Sequence, residues 1–315
     1  MSINKKFIEE LVNVTSKAAL ASFYLVGKKD KIAADKAAVD SMRVELNKIN
    51  MCGQIVIGEG ELDEAPMLYI GEKLGTMNGP SLDIAVDPLE GTNFAANNLP
   101  GALSVIAIAE KSNLFNAPET YMEKIAVGKV EKGVVDLDFS VKKNITNLAD
   151  YKNKDISSLT ACVLDRPRHK KIINELKELK VKLKLITDGD ISGALLVSDP
   201  KHNVDIFLGT GGGPEGVLAA TALDAYDCFF QGRFIFNNEN DIKRAKKMGI
   251  KDLKKKYDLC EIVSGDSIFC ATGVTSGDLV DGIKIQNNKF ISETFVTHKS
   301  SNLKDKIIKI NLFDL

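Results

Sequence analysis

The residues best suited to chemistry lie in the segment LDIAVDPLEGTN, residues 82–93, where an apolar alternation leads into two carboxylates and a threonine. Asp87 and Glu90 could converge on a cation, because the proline between them restricts the backbone. Gly91 and Thr92 could present backbone N–H groups to a phosphate where the next segment begins. A plain turn would also contain proline and glycine, but this combination of residue types favours a phosphatase-like site.

Three further segments place carboxylates or glycines directly after an apolar run. They are IVIGEGELDEAP at 55–66, TDGDISG at 187–193 and FLGTGGGPEG at 207–216. Taken alone, they can be explained as an acidic helix start, an aspartate that caps a helix and a glycine turn without a nucleotide-binding spacing. Ligands of open α/β sheets bind beyond the carboxyl ends of strands, and all of these segments are expected there. Their common placement indicates a binding site.

Two other segments have ordinary interpretations when they are considered alone. The basic run RPRHK at 166–170 would usually form a surface patch, and Tyr121 in ETYMEK would usually be a half-buried aromatic residue at the start of a helix. Either segment gains a functional interpretation only if the fold brings it to the same edge as the carboxylates.

Composition narrows the class of protein. The chain has 315 residues, of which 44% are hydrophobic, and its formal net charge is −1, which gives no global field to attract nucleic acid or an anionic membrane. Its N-terminal segment is predicted to form an amphipathic helix rather than a targeting peptide. Five cysteines without paired spacing indicate reduced thiols and a cytoplasmic location. With three histidines, a zinc site is disfavoured, and any metal is expected to bind oxygen, as Mg²⁺ and Mn²⁺ do.

The elements that position these residues are predicted from hydrophobic periodicity. Apolar spacing predicts two N-terminal helices, over about 7–18 and 38–49, and then strands at 54–58, 82–86 and 103–109. After a charged stretch near 141–155, strands and helices alternate, which predicts parallel βαβ units in an α/β fold. These later elements are predicted at 159–164, 169–179, 181–186, 190–197, 204–209 and from Pro214 onward. We expect two subdomains, 1–150 and 151–315.

Seven motifs in order resemble class II fructose-1,6-bisphosphatases, from nearly the first residue to about residue 300. They are VIGEGELDEAPMLYIGEKLG, DIAVDPLEGTN, NAPETYMEKIAVG, RPRH, DGDISG, GGGPEGV and FCATGVTSGDL. The Asp-Pro-x-x-Gly-Thr element is shared with the wider lithium-sensitive, metal-dependent sugar phosphatase superfamily. The resemblance implies a layered α/β/α/β/α sandwich, with metal and phosphate bound in the first subdomain and sugar phosphate in the second. It also implies hydrolysis of the 1-phosphate of fructose 1,6-bisphosphate in gluconeogenesis.

Carried over position by position, the resemblance implies two divalent-metal sites occupied by Mn²⁺ or Mg²⁺. Asp35 and Glu59 would hold one ion, while Asp87, Glu90 and Glu215 would hold the other.

The resemblance also assigns substrate-binding and catalytic positions. Catalytic roles are implied for Lys31, Asp63 and Thr92, with Thr92 and a carboxylate such as Asp63 or Glu59 orienting or deprotonating the attacking water. The implied substrate contacts are Glu90, Gly91, Thr92, Tyr121, Arg166, Pro167, Arg168, Asp188, Gly189, Asp190 and Gly212. The arginines would hold the phosphate that does not react, because the guanidinium fork suits a phosphate, and the aspartates would bind sugar hydroxyls.

Three departures from the family pattern affect details. Arg166 stands where some relatives have lysine, and Asn93 replaces a basic residue after the Gly-Thr pair. The segment GRFIFNNENDIKRAKKMG is shorter than the resemblance leads us to expect, which bears on surface loops and on assembly into the expected homo-oligomer, a dimer or tetramer.

Alternative functions differ in substrate or in class. The nearest alternatives are an inositol monophosphatase and a dual fructose and sedoheptulose bisphosphatase; RPRH and the glycine turn favour a substrate with two phosphates. A non-catalytic sugar-phosphate sensor would not need the full carboxylate set. A nicotinamide dehydrogenase is disfavoured because the dinucleotide fingerprint is absent.

Overall fold

The computed structural model describes residues 2–58 and 68–312, and it forms two compact units. The first unit contains residues 1–116 and 263–315, and the second contains residues 117–262. The subdomains predicted at 1–150 and 151–315 divide the chain by function, and that assignment stays a prediction. In the structure, residues 117–150 belong to the same compact unit as the residues that follow them.

The elements are numbered in chain order. Residues up to 116 contain α1 (Lys6–Phe23), α2 (Lys31–Leu46), β1 (Cys52–Ile57), β2 (Lys73–Leu74), β3 (Ser81–Glu90), α3 (Thr92–Ala96) and β4 (Leu103–Glu110). The second unit contains β5 (Tyr121–Val127), α4 (Val141–Lys152), β6 (Thr160–Leu164), α5 (Lys170–Glu178), β7 (Lys182–Ile186), α6 (Asp190–Leu195), β8 (Ile206–Gly212), α7 (Gly213–Asp224), β9 (Phe229–Ile235), α8 (Glu239–Lys247), β10 (Lys256–Asp258) and α9 (Leu259–Ile262). The first unit resumes with β11 (Ser267–Gly273), β12 (Lys284–Gln286), β13 (Lys289–His298) and β14 (Leu303–Leu312).

Among the residues that the structure describes, the first unit is built on an eight-stranded sheet in the order β12-β13-β11-β4-β3-β1-β2, with β14 paired to β13. Strands β1 and β3 are parallel, whereas β3, β4, β11 and β13 are joined by antiparallel pairs. Helix α1 forms because its apolar residues repeat at helical spacing, and Phe7, Leu11 and Val14 are buried in the core on one face of this sheet.

The second unit is built on a six-stranded sheet in the order β10-β9-β5-β8-β6-β7. The pairs β6–β7 and β6–β8 are parallel, as the sequence predicts, and helices connect these strands because a parallel pair needs a long crossover. Strand β5 is antiparallel to both β8 and β9. The α/β class is therefore confirmed, with a mixed rather than a purely parallel sheet in this unit.

One local prediction was wrong. Tyr121 does not start a helix: it is the first residue of β5 and its side chain is 45% exposed. Its strand begins with this exposed residue, ends with four buried ones and pairs along its full length with β8 and β9, so tertiary pairing decides its conformation.

Within the described part of the chain, every helix is too short or too polar to cross a bilayer.

Candidate active site

A β-bulge brings the two carboxylates of the DPLE segment to one face of the first sheet. Asp87 is opposite Val105 and Glu90 is opposite Leu103, so β3 contains one residue more than β4 over this stretch. Residues 87 and 90 would lie on opposite faces of a regular strand, because side chains alternate. Residues that pair across two strands lie on the same face of the sheet, and Leu103 and Val105 share a face because they are two residues apart on β4. The extra residue in β3 therefore places both carboxylates on that face.

The burial of neighbouring residues supports this register. Val86 and Leu89, which directly precede Asp87 and Glu90, both belong to the core packed under α1 and α2. Asp87 and Glu90 consequently belong to the opposite face, where Glu90 is only 4% exposed. The sequence predicts a strand that ends at residue 86; in the structure the strand continues to Glu90 and the change of direction comes at Gly91.

Gly91 makes that change of direction with a left-handed backbone, at φ 76°, and it occupies the N-cap position of α3. A side chain there would also meet the ring of Phe94, with 2.8 Å between an added Cβ and Cδ2, so glycine is required twice over. Thr92 then becomes the first residue of the helix, two residues after the buried Glu90.

The start of α2 is attached to this turn. The backbone N–H of Gly27 donates to Ala95 O at 2.9 Å, and that of Lys29 donates to Ala96 O at 2.8 Å. Helix α2 begins two residues later with Lys31, which is exposed, and it carries the partly buried Asp35 one turn on. Two segments that the sequence singles out are thus held beside each other within the first unit.

The predicted metal ligands are only partly described. Glu59 and the predicted catalytic Asp63 lie outside the described residues, and Glu215 belongs to the second unit. In the described ranges 2–58 and 68–312, no group of three or more histidine, cysteine, aspartate or glutamate side chains is arranged to hold a metal ion. The ligand set implied by the resemblance stays a prediction.

In the second unit, one edge of the sheet gathers most of the predicted substrate contacts. Strands β6, β7 and β8 run parallel, so their carboxyl ends come to the same edge, together with Arg166, Asp188 and Gly212. Tyr121 joins them because β5 is antiparallel to β8 and pairs Tyr121 with Gly212. A guanidinium nitrogen of Arg166 lies 3.6 Å from a carboxylate oxygen of Asp188.

Arg168 and His169 fix the RPRH segment to β8 through one residue, Thr210. The Nε–H of Arg168 donates to Thr210 O at 2.8 Å, and the Thr210 backbone N–H donates to Nε2 of His169 at 2.7 Å. The other ring nitrogen, Nδ1, lies 2.7 Å from Leu164 O and must carry the proton, since a carbonyl only accepts. The Arg168 guanidinium also lies 5.0 Å from the centre of the Tyr121 ring.

The electrostatic state of His169 agrees with these bonds. The ring is 1% exposed, and burial lowers its pKa below the usual 6.5 because the interior disfavours the charged form. His169 is therefore neutral at pH 7, which leaves Nε2 free to accept from Thr210. The basic appearance of RPRH comes from its two arginines alone.

A lysine that the sequence analysis did not single out lies under this edge. Lys124, on β5, is 1% exposed and forms an ion pair with Asp190 Oδ2. Burial raises the pKa of Glu215 at the start of α7, the neighbouring charge of Lys124 lowers it, and Asp190 raises it again. Lys124 thus lies among carboxylates that the sequence places on two different motifs.

The glycine run after β8 makes room for these carboxylates. A Cβ added at Gly211 would overlap the carboxylate of Asp190, and one added at Gly212 would overlap that of Glu215. The glycine run therefore leaves space for two acidic side chains.

With this geometry described, similarity to known proteins decides the family. The family model described as bacterial fructose-1,6-bisphosphatase, glpX-encoded, matches residues 5–310. The chain belongs to the class 2 fructose-1,6-bisphosphatase family.

Similar members of this family include enzymes from two bacterial groups. The chain is 42% identical to fructose-1,6-bisphosphatase 1 class 2 of Escherichia coli K12, across 97% of this chain and 95% of the relative. It is also 42% identical to a D-fructose 1,6-bisphosphatase class 2/sedoheptulose 1,7-bisphosphatase of Prochlorococcus marinus MIT 9515, across 91% of this chain and 90% of the relative.

Solved structures give more distant matches. The match to the Thermotoga maritima IMPase covers 61% of this chain and 72% of the IMPase chain, at 13% identity and a TM-score of 0.33. An extragenic suppressor from Pyrococcus furiosus matches 61% and 70%, at 12% identity and a TM-score of 0.31. These scores are too low to support an argument about geometry.

Proposed function

We propose that this protein hydrolyses the 1-phosphate of D-fructose 1,6-bisphosphate to give fructose 6-phosphate and phosphate. The observation that carries the proposal is the edge of the second sheet, where Arg166, Arg168 and Tyr121 lie with Asp188 and Asp190. Arginines suit a phosphate and carboxylates suit sugar hydroxyls, so this edge has the chemistry to hold a sugar phosphate. Membership of the class 2 family supports the reaction type.

The first unit is proposed to supply the reacting groups. Asp87 and Glu90, on one face because of the bulge, offer only oxygen donors, which fits Mg²⁺ or Mn²⁺. Asp35, Glu59 and Glu215 are the other proposed ligands. A bound divalent cation would neutralise phosphate oxygens and lower the pKa of an attacking water.

The chain's own groups then have separate tasks. The Thr92 hydroxyl would orient the water, and Asp63 or Glu59 would accept its proton. Lys31, at the start of α2, would assist catalysis beside the turn at Gly91. Backbone N–H groups near Gly91 would stabilise negative charge that develops on the reacting phosphate. In the second unit, Arg166 and Arg168 would hold the phosphate that is not cleaved.

A second substrate is favoured by one observation. The Prochlorococcus relative is named for both fructose 1,6-bisphosphate and sedoheptulose 1,7-bisphosphate. We propose that this protein accepts the longer sugar as well, since both substrates carry a phosphate at each end. Inositol monophosphate, which has one phosphate, would bring no second phosphate to the arginines and is expected to be a poor substrate.

The biological setting is proposed on the same basis. We expect a cytoplasmic enzyme of gluconeogenesis that is inhibited by lithium, forms a homo-oligomer and binds neither nucleic acid nor membranes.

The experiment that tests the substrate class is phosphate release from a panel of sugar phosphates at fixed metal concentration. Fructose 1,6-bisphosphate should give the highest kcat/KM, sedoheptulose 1,7-bisphosphate should also be cleaved, and inositol 1-phosphate should be cleaved poorly. A preference for inositol 1-phosphate would contradict the proposal, and tight fructose 6-phosphate binding without any hydrolysis would indicate a sensor instead.

A further inference from the structure

Lys124 occupies a space that glycines create around it. On β5 it is opposite Gly209 of β8 and Gly232 of β9, so neither neighbouring strand places a side chain beside it. A Cβ added at Gly216 of α7 would lie 3.2 Å from its Cε, so a larger residue there would press on the lysine stem. Three separate segments thus accommodate one buried lysine.

Burying an ammonium group is costly unless an opposite charge and hydrogen bonds compensate it. Asp190 supplies the opposite charge through Oδ2. The other oxygen of this carboxylate, Oδ1, is buried and accepts no hydrogen bond from any group in the described residues. A buried carboxylate oxygen without a donor is destabilising, and a bound ligand that donates a hydrogen bond would satisfy it.

The position of Asp190 indicates which ligand that would be. Asp190 is the first residue of α6, and it follows β7 at the edge that carries Arg166 and Asp188. A sugar hydroxyl can donate a hydrogen bond to this oxygen, whereas an ionised phosphate cannot. Lys124 anchors Oδ2 of Asp190, and Oδ1 is left to accept a hydrogen bond from such a hydroxyl.

We propose that Lys124 is a positioning residue for sugar recognition: it holds Asp190 so that Oδ1 accepts a hydrogen bond from a hydroxyl of the bound sugar phosphate. This inference rests on the proposed function. It assigns Lys124 no contact with the substrate, and its effect on binding is transmitted through Asp190.

The test is a double-mutant cycle read by calorimetric binding of fructose 6-phosphate. Lys124→Met removes the charge and keeps the length of the side chain, while Asp190→Asn removes the carboxylate. Each variant should weaken binding by on the order of 10-fold to 100-fold, the value of a hydrogen bond to a charged group. The variant with both changes should bind no more weakly than Asp190→Asn alone. In turnover, Lys124→Met should raise the KM for fructose 1,6-bisphosphate more than it lowers kcat.

Lys152→Met is the matched control, because Lys152 pairs with a buried aspartate of the same unit, Asp205, at 2.6 Å. That pair lies next to Thr160 at the start of β6, which is the opposite end of the strand from Arg166. The control should bind fructose 6-phosphate as the wild type does. A purely stabilising role for Lys124 would make the two lysine variants behave alike.

Wild-type affinity in a folded Lys124→Met variant would overturn the inference. A double variant whose affinity falls by the product of the two single-variant factors would also overturn it. If Lys124→Met alone fails to fold, the charge-balanced double variant is compared with Asp190→Asn. Weaker binding of fructose 6-phosphate by the double variant would then overturn the inference. A wild-type protein that releases phosphate from fructose 1,6-bisphosphate while these variants bind normally refutes only the inference. A wild type that neither binds nor hydrolyses fructose phosphates refutes the proposed function and the role of Lys124 with it.

Discussion

At the scale of single residues, two hydrogen bonds to the backbone of Thr210 hold the RPRH segment against β8. The carbonyl oxygen of Thr210 accepts a hydrogen bond from Arg168 and its backbone N–H donates one to His169, so the backbone of one residue of β8 fixes both side chains. The guanidinium of Arg168 is thereby held above the Tyr121 ring, and its remaining N–H groups are left for a ligand.

Replacing Arg168 by alanine should therefore impair binding more than chemistry. We expect the KM for fructose 1,6-bisphosphate to rise on the order of 10-fold or more, with a smaller fall in kcat, because uniform binding energy is lost. Lys171→Ala, an exposed position on α5, is the control and should leave both constants unchanged. Steady-state kinetics of the two variants make the comparison; an unchanged KM for Arg168→Ala would assign the arginine to the surface.

Thr92 offers a second test at this scale. Gly91 occupies the N-cap position, so Thr92 is not the residue that caps α3, and its loss should have little effect on stability. If its hydroxyl orients the attacking water, Thr92→Ser should remain active and Thr92→Ala should lose roughly 10²-fold in kcat. The measurement is kcat for both variants together with their thermal melts. A folded alanine variant with wild-type turnover would remove Thr92 from the chemistry.

His169 should make stability depend on pH in a defined window. Its pKa in the folded protein is lower than the ordinary 6.5, so below about pH 6.5 the unfolded chain binds a proton that the folded chain does not. The stability associated with neutral His169 is complete above that pH and is lost as the pH falls toward the lower folded-state value. Urea unfolding at pH 7.5, 6.5 and 5.5 should show this loss in the wild type and a shallower loss in His169→Gln. Parallel loss in both proteins would mean that the histidine is not responsible.

At the scale of elements, the sequence predicts what local pattern determines and misses what pairing determines. The strand and helix alternation from β6 to α7 was predicted within a few residues, because each element has its own periodicity and is bounded by turn residues. The bulge in β3 was not predictable, since it exists only in register with Val105 and Leu103 of β4. Lys124 was missed for a similar reason: a single lysine in an apolar strand carries no motif, and its partner is 66 residues away.

Gly211 provides the prediction at this scale. Its backbone needs no left-handed conformation, so Gly211→Ala acts through the overlap of the new methyl group with the Asp190 carboxylate. We expect fructose 6-phosphate binding to weaken on the order of 10-fold, because the carboxylate must move. Gly128→Ala is the control, since its methyl group would meet one atom, the carbonyl oxygen of Val197, at 3.3 Å. Equal affinities in isothermal titration would show that the glycine run does not protect Asp190.

At the scale of the whole molecule, the two compact units carry different parts of the proposed chemistry. The first unit contains the carboxylates of the β3 bulge, Thr92 and the start of α2, while the second contains the arginines and the aspartates that are proposed to bind the sugar. The motifs supply the predicted residues of both sets, whose roles stay predictions, and the structure brings the second set to one edge of its sheet. They could not give the boundary between the units, because the chain leaves the first unit after residue 116 and returns to it at residue 263.

The central claim is a metal-dependent hydrolysis of fructose 1,6-bisphosphate, and its most direct test is phosphate release by protein that has been treated with a chelator. We predict that the treated protein is inactive, and that Mn²⁺ or Mg²⁺ restores release of one phosphate per fructose 1,6-bisphosphate, because every proposed ligand is an oxygen donor. The variant Asp87→Asn should not recover at the metal concentration that restores the wild type. Full turnover in metal-free buffer, or no turnover at any concentration of either metal, would contradict the account.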